Sequence, residues 1–267
     1  MYSLSYVKAK SVKEAADFLN KHPEAKLLSG GMTLLPTLKQ RLARPTHLVD
    51  IANLAELAKI ETKAGKLVIG AGVKHHVVAT SAVVKKAIPA LAGLAGSIGD
   101  PQVRNQGTIG GALAHNDPAA DYPSAVLGLG ATVTTNKRSI AADKFFTGTF
   151  ATALKPGEII TSVTFPLPKR AAYVKFRQPA SRFALVGVFV SEGAGTVRVA
   201  VTGAGACVFR AKAMEKRLAE NFTPDAIARV KNAPDDLTSD MHASAEYRAH
   251  LVGVIAQRAV EAAIAGK

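Results

Sequence analysis

The chain has 267 residues, 48% hydrophobic and 20% charged, which suits one large or two ordinary globular domains and excludes a disordered chain. Its 34 Lys and Arg against 20 Asp and Glu give a formal charge of +14, but the basic residues are scattered, without a long Lys/Arg run or a nucleic-acid module, so the charge suits acidic partner proteins or anionic substrates better than nucleic acid. No run of about 18 apolar residues marks a membrane span, the N-terminus lacks an apolar signal core, and the lone Cys207 can neither close an internal disulfide nor hold an iron–sulfur cluster; a cytoplasmic chain is expected.

Residues 11–20 read as a helix. Ser11 can cap it, Glu14 completes a capping box, and Val12, Ala15, Ala16 and Leu19 form its apolar face. A strand at 25–28 runs into Ser29-Gly30-Gly31-Met32-Thr33, and 34–43 read as a helix that tolerates Pro36 in its first turn. Glycine lets another group come close to backbone N–H donors, so this strand–Gly-Gly–helix unit could seat an anion; the other reading is an ordinary turn. Strands follow at 47–50 and 67–71. The second ends in Gly70-Ala71-Gly72, but His75 takes the third fingerprint position and no acidic residue follows at the required distance, which rejects a Rossmann site. His75 and His76 are adjacent and cannot share a helix face as metal ligands. Residues 80–86 and 88–96 are predicted helices separated by Pro89.

The stretch 99–123, GDPQVRNQGTIGGALAHNDPAADYP, has no strong hydrophobic period and reads mainly as loop. Gly107, Gly110 and Gly111 surround Thr108 there, and with the first glycine cluster they could grip two linked phosphates. Arg104 could reach a phosphate or pin the loop through carbonyls or a carboxylate, and the second is favoured. His115, Asp117 and Asp121 lack the further ligand a metal site needs. Asp121 could cap a helix at 123–129. Strands at 131–135, 138–140 and 158–166 follow, with Phe145-Phe146 as a core pair and a turn at 154–158. A linker at 166–170 places a domain boundary near 168. Beyond it, 173–177, 184–190 and 196–203 read as strands, with a hairpin turn at Gly193-Ala194-Gly195. Gly203-Ala204-Gly205 fails as a second dinucleotide fingerprint because Val208 holds the sixth position. Helices at 211–220, 223–230 and 245–265 would cover this sheet, an α+β arrangement.

Three stretches carry a resemblance: LLSGGMTLLPTLKQRLARPTHLVDI at 27–51, SIGDPQVRNQGTIGGALAHNDPAADYPSAVLGLGA at 97–131, and SAEYRAHL at 244–251. They resemble the FAD-binding medium subunit of the molybdenum hydroxylases, of the carbon monoxide dehydrogenase and xanthine dehydrogenase type. Their order is the family's, the likeness spans nearly the whole chain, and the central motif is far more specific than a lone G-x-G-x-x-G. The resemblance implies an α+β fold. An FAD-binding domain of the vanillyl-alcohol oxidase type at 1–168 (two α+β subdomains, roughly 1–55 and 56–168) precedes a C-terminal α+β domain of the carbon monoxide dehydrogenase flavoprotein type at 169–267.

It also implies a site. Leu28, Ser29, Gly30, Gly31, Met32, Thr33 and Leu34, with Thr108, Ile109, Gly110, Gly111 and Ala112, would hold FAD, its pyrophosphate between the two loops. Asp121 would accept from ribityl or ribose hydroxyls. Ile98 would pack on one face of the isoalloxazine and Phe183 on the other, with Arg182 beside it; from the residues alone Ile98 and Phe183 also read as plain core. Relatives often carry an acidic residue where Arg182 stands, a departure at the ring edge. Residues 29–33 contain no His, so non-covalent FAD is expected. No catalytic triad or acid–base pair stands out, as suits an electron relay. Molybdopterin on a large partner subunit would oxidise the substrate. The [2Fe-2S] clusters of a small partner subunit would pass electrons to FAD, which would reduce NAD, oxygen or a quinone, and the resemblance implies assembly as a dimer of heterotrimers. The alternatives are a self-contained flavin oxidoreductase without molybdenum partners and a basic nucleotide- or nucleic-acid-binding module.

Overall fold

A computed structural model describes residues 1–193 and 195–266. The first fifty residues form a three-stranded parallel sheet in the order Ser5–Lys8, His47–Asp50, Lys26–Leu28. Helix Val12–Lys21 packs Val12, Ala15 and Ala16 inward, and Ser11 Oγ accepts the Glu14 N–H at its start. The Glu14 carboxylate accepts from Lys10 N at 2.8 Å, one residue ahead of the expected capping-box partner. The helix expected at 34–43 is shorter, Leu34–Lys39. Arg41 takes a left-handed φ of 61°, which ends it.

The middle of the chain builds a five-stranded antiparallel sheet in the order Ile60–Lys63, Lys66–Gly70, Ile160–Pro166, Thr132–Thr135, Ser139–Ala141. Strand Ile60–Lys63 was not legible in the sequence, since only Ile60 is even half-buried. Ala64 and Gly65 turn it into its neighbour with φ of 48° and 70°, as a primed hairpin turn requires. The helix expected at 80–86 is two, His75–Thr80 and Ala82–Ala87, divided where Ser81 leaves helical geometry and caps the second. Helix Pro89–Gly96 follows as expected.

The stretch expected to be mainly loop is largely helical, Pro101–Gln106 and Ile109–His115, and it leads into helix Tyr122–Gly128, close to the helix expected at 123–129. Each is too short to display an apolar period, and local capping organises the first two. Asp100 Oδ1 accepts from Val103 N at 2.8 Å, with Pro101 at the first helical position. Thr108 Oγ1 accepts from Gly111 N at 3.1 Å. Asp121 does not cap the third helix with its side chain.

The last third forms a four-stranded antiparallel sheet in the order Arg170–Arg177, Ala184–Gly193, Thr196–Thr202, Phe209–Arg210. Residues 167–169 alone separate its first strand from Pro166. Of the expected Gly193-Ala194-Gly195 turn, Ala194 lies outside the described residues; Gly193 pairs with Thr196 across it. Side chains alternate across the sheet. Val186, Val188 and Val190 face a core shared with Val252, Ile255, Ala256 and Val260 of helix Ala245–Ile264. Phe189 and Ala200 face the other way, into the core of the preceding domain beside Val126 and Leu127. Helices Lys212–Glu220 and Pro224–Ile227 complete the outer layer, the second shorter than expected. Among the described residues no helix is long and apolar enough to cross a membrane.

Candidate functional site

The two glycine clusters meet. Ser29 Oγ and Thr108 Oγ1 are hydrogen-bonded at 3.1 Å. Gly30 lies so close to the second turn that a Cβ there would overlap the Gln106 carbonyl. A Cβ at Gly110 would stand 2.6 Å from that of Ala71 and 2.7 Å from its carbonyl oxygen. These two glycines therefore serve backbone-to-backbone packing as well as any approach by a ligand.

Their hydrogen bonding is unequal. The second turn spends its donors inside the protein: Ile109 N on Val73 O at 3.1 Å, Gly110 N on Ala71 O at 2.9 Å and Ala112 N on Thr108 O at 3.0 Å, with Gly111 N on the Thr108 hydroxyl. In the first turn, the N–H groups of Gly30, Gly31, Met32 and Thr33 find no acceptor among the described residues. The two loops expected to grip linked phosphates thus differ in which of their N–H groups are already bonded. The sequence shows glycine in both and cannot show which backbone is already bonded.

Both turns open on a cavity of about 500 Å³, a size typical of small-molecule sites. Residues 29–34, Thr108, Gly110, Gly111, Ala112, Ile98, Asp121 and Phe183 line it. Three expected residues do not. Leu28 sits half-buried in its strand, and Ile109 is fully buried in the core. Arg182 is exposed, takes a φ of 62°, and directs its guanidinium toward Gly99 O at 3.5 Å. Arg104 pins the central stretch as favoured, with Nη1 on Ile98 O at 2.9 Å.

The cavity has polar walls that the motifs marked only at Asp121. Asp121 is buried, and its Oδ1 accepts from Lys175 Nζ at 2.8 Å and the Tyr173 hydroxyl at 2.6 Å. Among the described residues no donor reaches Oδ2. Burial pushes the Asp121 carboxyl up, opposed by Lys175, Tyr173 and the more distant Arg177. Glu158, just ahead of strand Ile160–Pro166, also lines the cavity. It binds Arg138 Nε and Thr135 Oγ1, each at 2.8 Å, and these bonds, led by Arg138, hold its carboxyl down at about 2.

His75, set aside in the sequence as a metal ligand, lies under the second turn. Its N–H donates to Gly107 O at 2.9 Å, and its ring is 5.3 Å from that of Tyr122. Burial, then the charge of Arg104, holds the imidazole down at about 4, so it is neutral near pH 7. His75 Nδ1 and the Tyr122 hydroxyl are both buried without a partner among the described residues. Among the described residues no group of His, Cys, Asp and Glu could hold a metal ion.

A parallel sheet ending in a donor-rich glycine turn, set against an antiparallel sheet and walled by a buried carboxylate and apolar side chains, has the form of a small-molecule or cofactor-binding site. The profile of the FAD binding domain in molybdopterin dehydrogenase matches residues 2–168, and the chain belongs to that family. It is 34% identical to the carbon monoxide dehydrogenase medium chain of Hydrogenophaga pseudoflava over 97% of this chain and 96% of the relative. It is 32% identical to the nicotine 6-hydroxylase medium subunit of Paenarthrobacter nicotinovorans over 97% and 96%. The fold superposes with a TM-score of 0.90 on a chain of quinoline 2-oxidoreductase from Pseudomonas putida 86, at 31% identity and covering 99% and 98% of the two chains. The expected FAD-binding domain with a following α+β unit is thus the fold of this oxidoreductase family.

Proposed function

We propose that the chain is the FAD-carrying medium subunit of a molybdenum hydroxylase complex, taking electrons from the [2Fe-2S] clusters of a small partner subunit and passing them through the flavin to NAD, oxygen or a quinone. The observation that carries this reading is the run of four N–H groups at Gly30, Gly31, Met32 and Thr33 with no acceptor among the described residues, on a turn that lines the same cavity as Asp121. Donors in a row suit a pyrophosphate, and a buried carboxylate oxygen suits a polyol. These residues fit FAD, which when bound supplies the electron-transfer chemistry.

In this reading Gly30 to Thr33 donate to the pyrophosphate. Thr108, Gly110, Gly111 and Ala112 form the opposing wall, with Leu28 and Ile109 holding the two turns from behind. Asp121 accepts from a ribityl or ribose hydroxyl. Ile98 and Phe183 flank the ring, Phe183 being half exposed and able to close over it, with Arg182 at the edge. Residues 1–168 form the FAD-binding domain, divided near 55, and 169–267 the second domain. The names of the relatives as medium chains support a large molybdopterin-binding subunit and a small [2Fe-2S] subunit as partners, assembled as a dimer of heterotrimers in the cytoplasm.

The test is the visible spectrum of the purified chain with FAD, before and after acid precipitation. Flavin bands at about 370 and 450 nm that move wholly to the supernatant are expected for a non-covalent flavin. A chain that takes up no FAD, even when coexpressed with its partner subunits, would sink the reading.

A further inference from the structure

Asp121 is the node of a buried polar cluster assembled from three separate segments. Lys175 Nζ, besides holding Asp121 Oδ1, donates to Ser97 O at 3.1 Å, directly ahead of Ile98. The Lys175 and Asp121 side chains are only 2% and 5% exposed. Either charge alone in that position would be costly to keep from water. Tyr173 and Lys175 stand two apart on strand Arg170–Arg177, so both reach from one face of it.

We propose that Lys175 and Tyr173 are positioning residues for Asp121, holding its carboxylate by Oδ1 so that Oδ2 is presented to a hydroxyl of the cofactor, and thereby making the grip of the first domain depend on a strand of the second. The assignment rests on the reading of the cavity as an FAD site. The same ammonium ties the Ser97 carbonyl to the carboxylate, so it sets the spacing between the polyol contact and the Ile98 wall. The other groups around the carboxylate are consistent with this division of labour. Arg177 favours its ionised form from further along the strand. Tyr122, the next residue, has its hydroxyl buried without a partner among the described residues, and the His75 ring behind it is neutral near pH 7.

The decisive measurement is the titration of the Asp121 carboxyl by carbon-13 NMR in the flavin-free full-length chain, assigned with Asp121→Asn. Lys175→Met is expected to raise its midpoint by roughly one pH unit or more, because burial then acts without its counter-charge; Tyr173→Phe should raise it by less. FAD affinity, followed by flavin fluorescence, is expected in the wild type to weaken only where the Asp121 carboxyl takes up its proton. In Lys175→Met it should weaken about tenfold or more and vary with pH across the shifted carboxyl midpoint. In an Asp121→Asn background, Lys175→Met should bring little further loss.

An unchanged carboxyl titration in Lys175→Met overturns the assignment. So does a loss of FAD affinity equally large with and without the Asp121 carboxylate, which would place Lys175 on the cofactor itself. The carboxyl titration needs no flavin, so a wild-type chain that binds no FAD defeats the cofactor reading while the role of Lys175 is still decided. Tyr173→Phe removes one hydroxyl only and carries the same two readouts if Lys175→Met does not fold.

Discussion

His75 shows how much one side chain can hold. Its imidazole lies against the Gly107 turn and Tyr122, and burial with Arg104 nearby takes its pKa from 6.5 to about 4. Between those values the unfolded chain binds a proton that the folded chain refuses. Stability is therefore complete above about pH 6.5 and falls as pH drops toward 4. The gap corresponds to about 3 kcal/mol. Thermal unfolding followed from pH 7.5 down to 4 should show a falling Tm in the wild type and a flatter profile in His75→Gln. Equal slopes would mean that another group titrates. The sequence marked this residue as a break in a dinucleotide fingerprint and as an unsuitable metal ligand, and neither adjacency to His76 nor a fingerprint position speaks about burial. Lys175 and Tyr173 were illegible for a different reason: 54 and 52 residues separate them from Asp121, and only the folded sheet brings them there.

At the scale of elements, the glycine clusters were legible as a pattern, but the hydrogen bonding inside them was not. The motif told where two turns lie. It could not tell that Val73, Ala71 and Thr108 already occupy the donors of the second. Nor could it tell that residues 101–106 and 109–115 are helical, since helices of six or seven residues are specified by caps and tertiary packing more than by period. The consequence is a sharp expectation for Gly30→Ala. The new methyl would meet the Gln106 carbonyl, which is backbone and cannot swing aside. Forced separation of the turns should cost about 1–3 kcal/mol, read as a lowered midpoint in urea unfolding with FAD absent. A variant as stable as the wild type would mean that the turns do not touch in solution. Gly65→Ala is the matched control, since its added Cβ meets nothing within 4 Å and its cost comes only from the positive φ of 70°.

Over the whole molecule, composition and the three motif stretches were enough for the class of fold, because alternating strands, late helices and a long specific motif all point the same way. What they left out is how the second sheet is used on both faces. A strand rich in Val and Phe reads as buried without revealing that its two faces belong to different cores, as Phe189 and Val188 do. The charge of +14 likewise describes the surface and leaves the partners' identity to the site and the family.

That shared sheet bears on how the polypeptide can be cut. A fragment ending at residue 168 would lack Phe189, which fills the space over Gly128, and Ala200 and Val208 with it. It should emerge from the ribosome with an open apolar wound and aggregate when made alone. Supplied in trans, residues 169–267 should close that wound and return both pieces to the soluble fraction as a co-eluting pair. If the first fragment instead stays monomeric and cooperative by itself, the sheet is a lid laid over a finished domain. If it needs its other half, the chain is one folding unit that carries a seam.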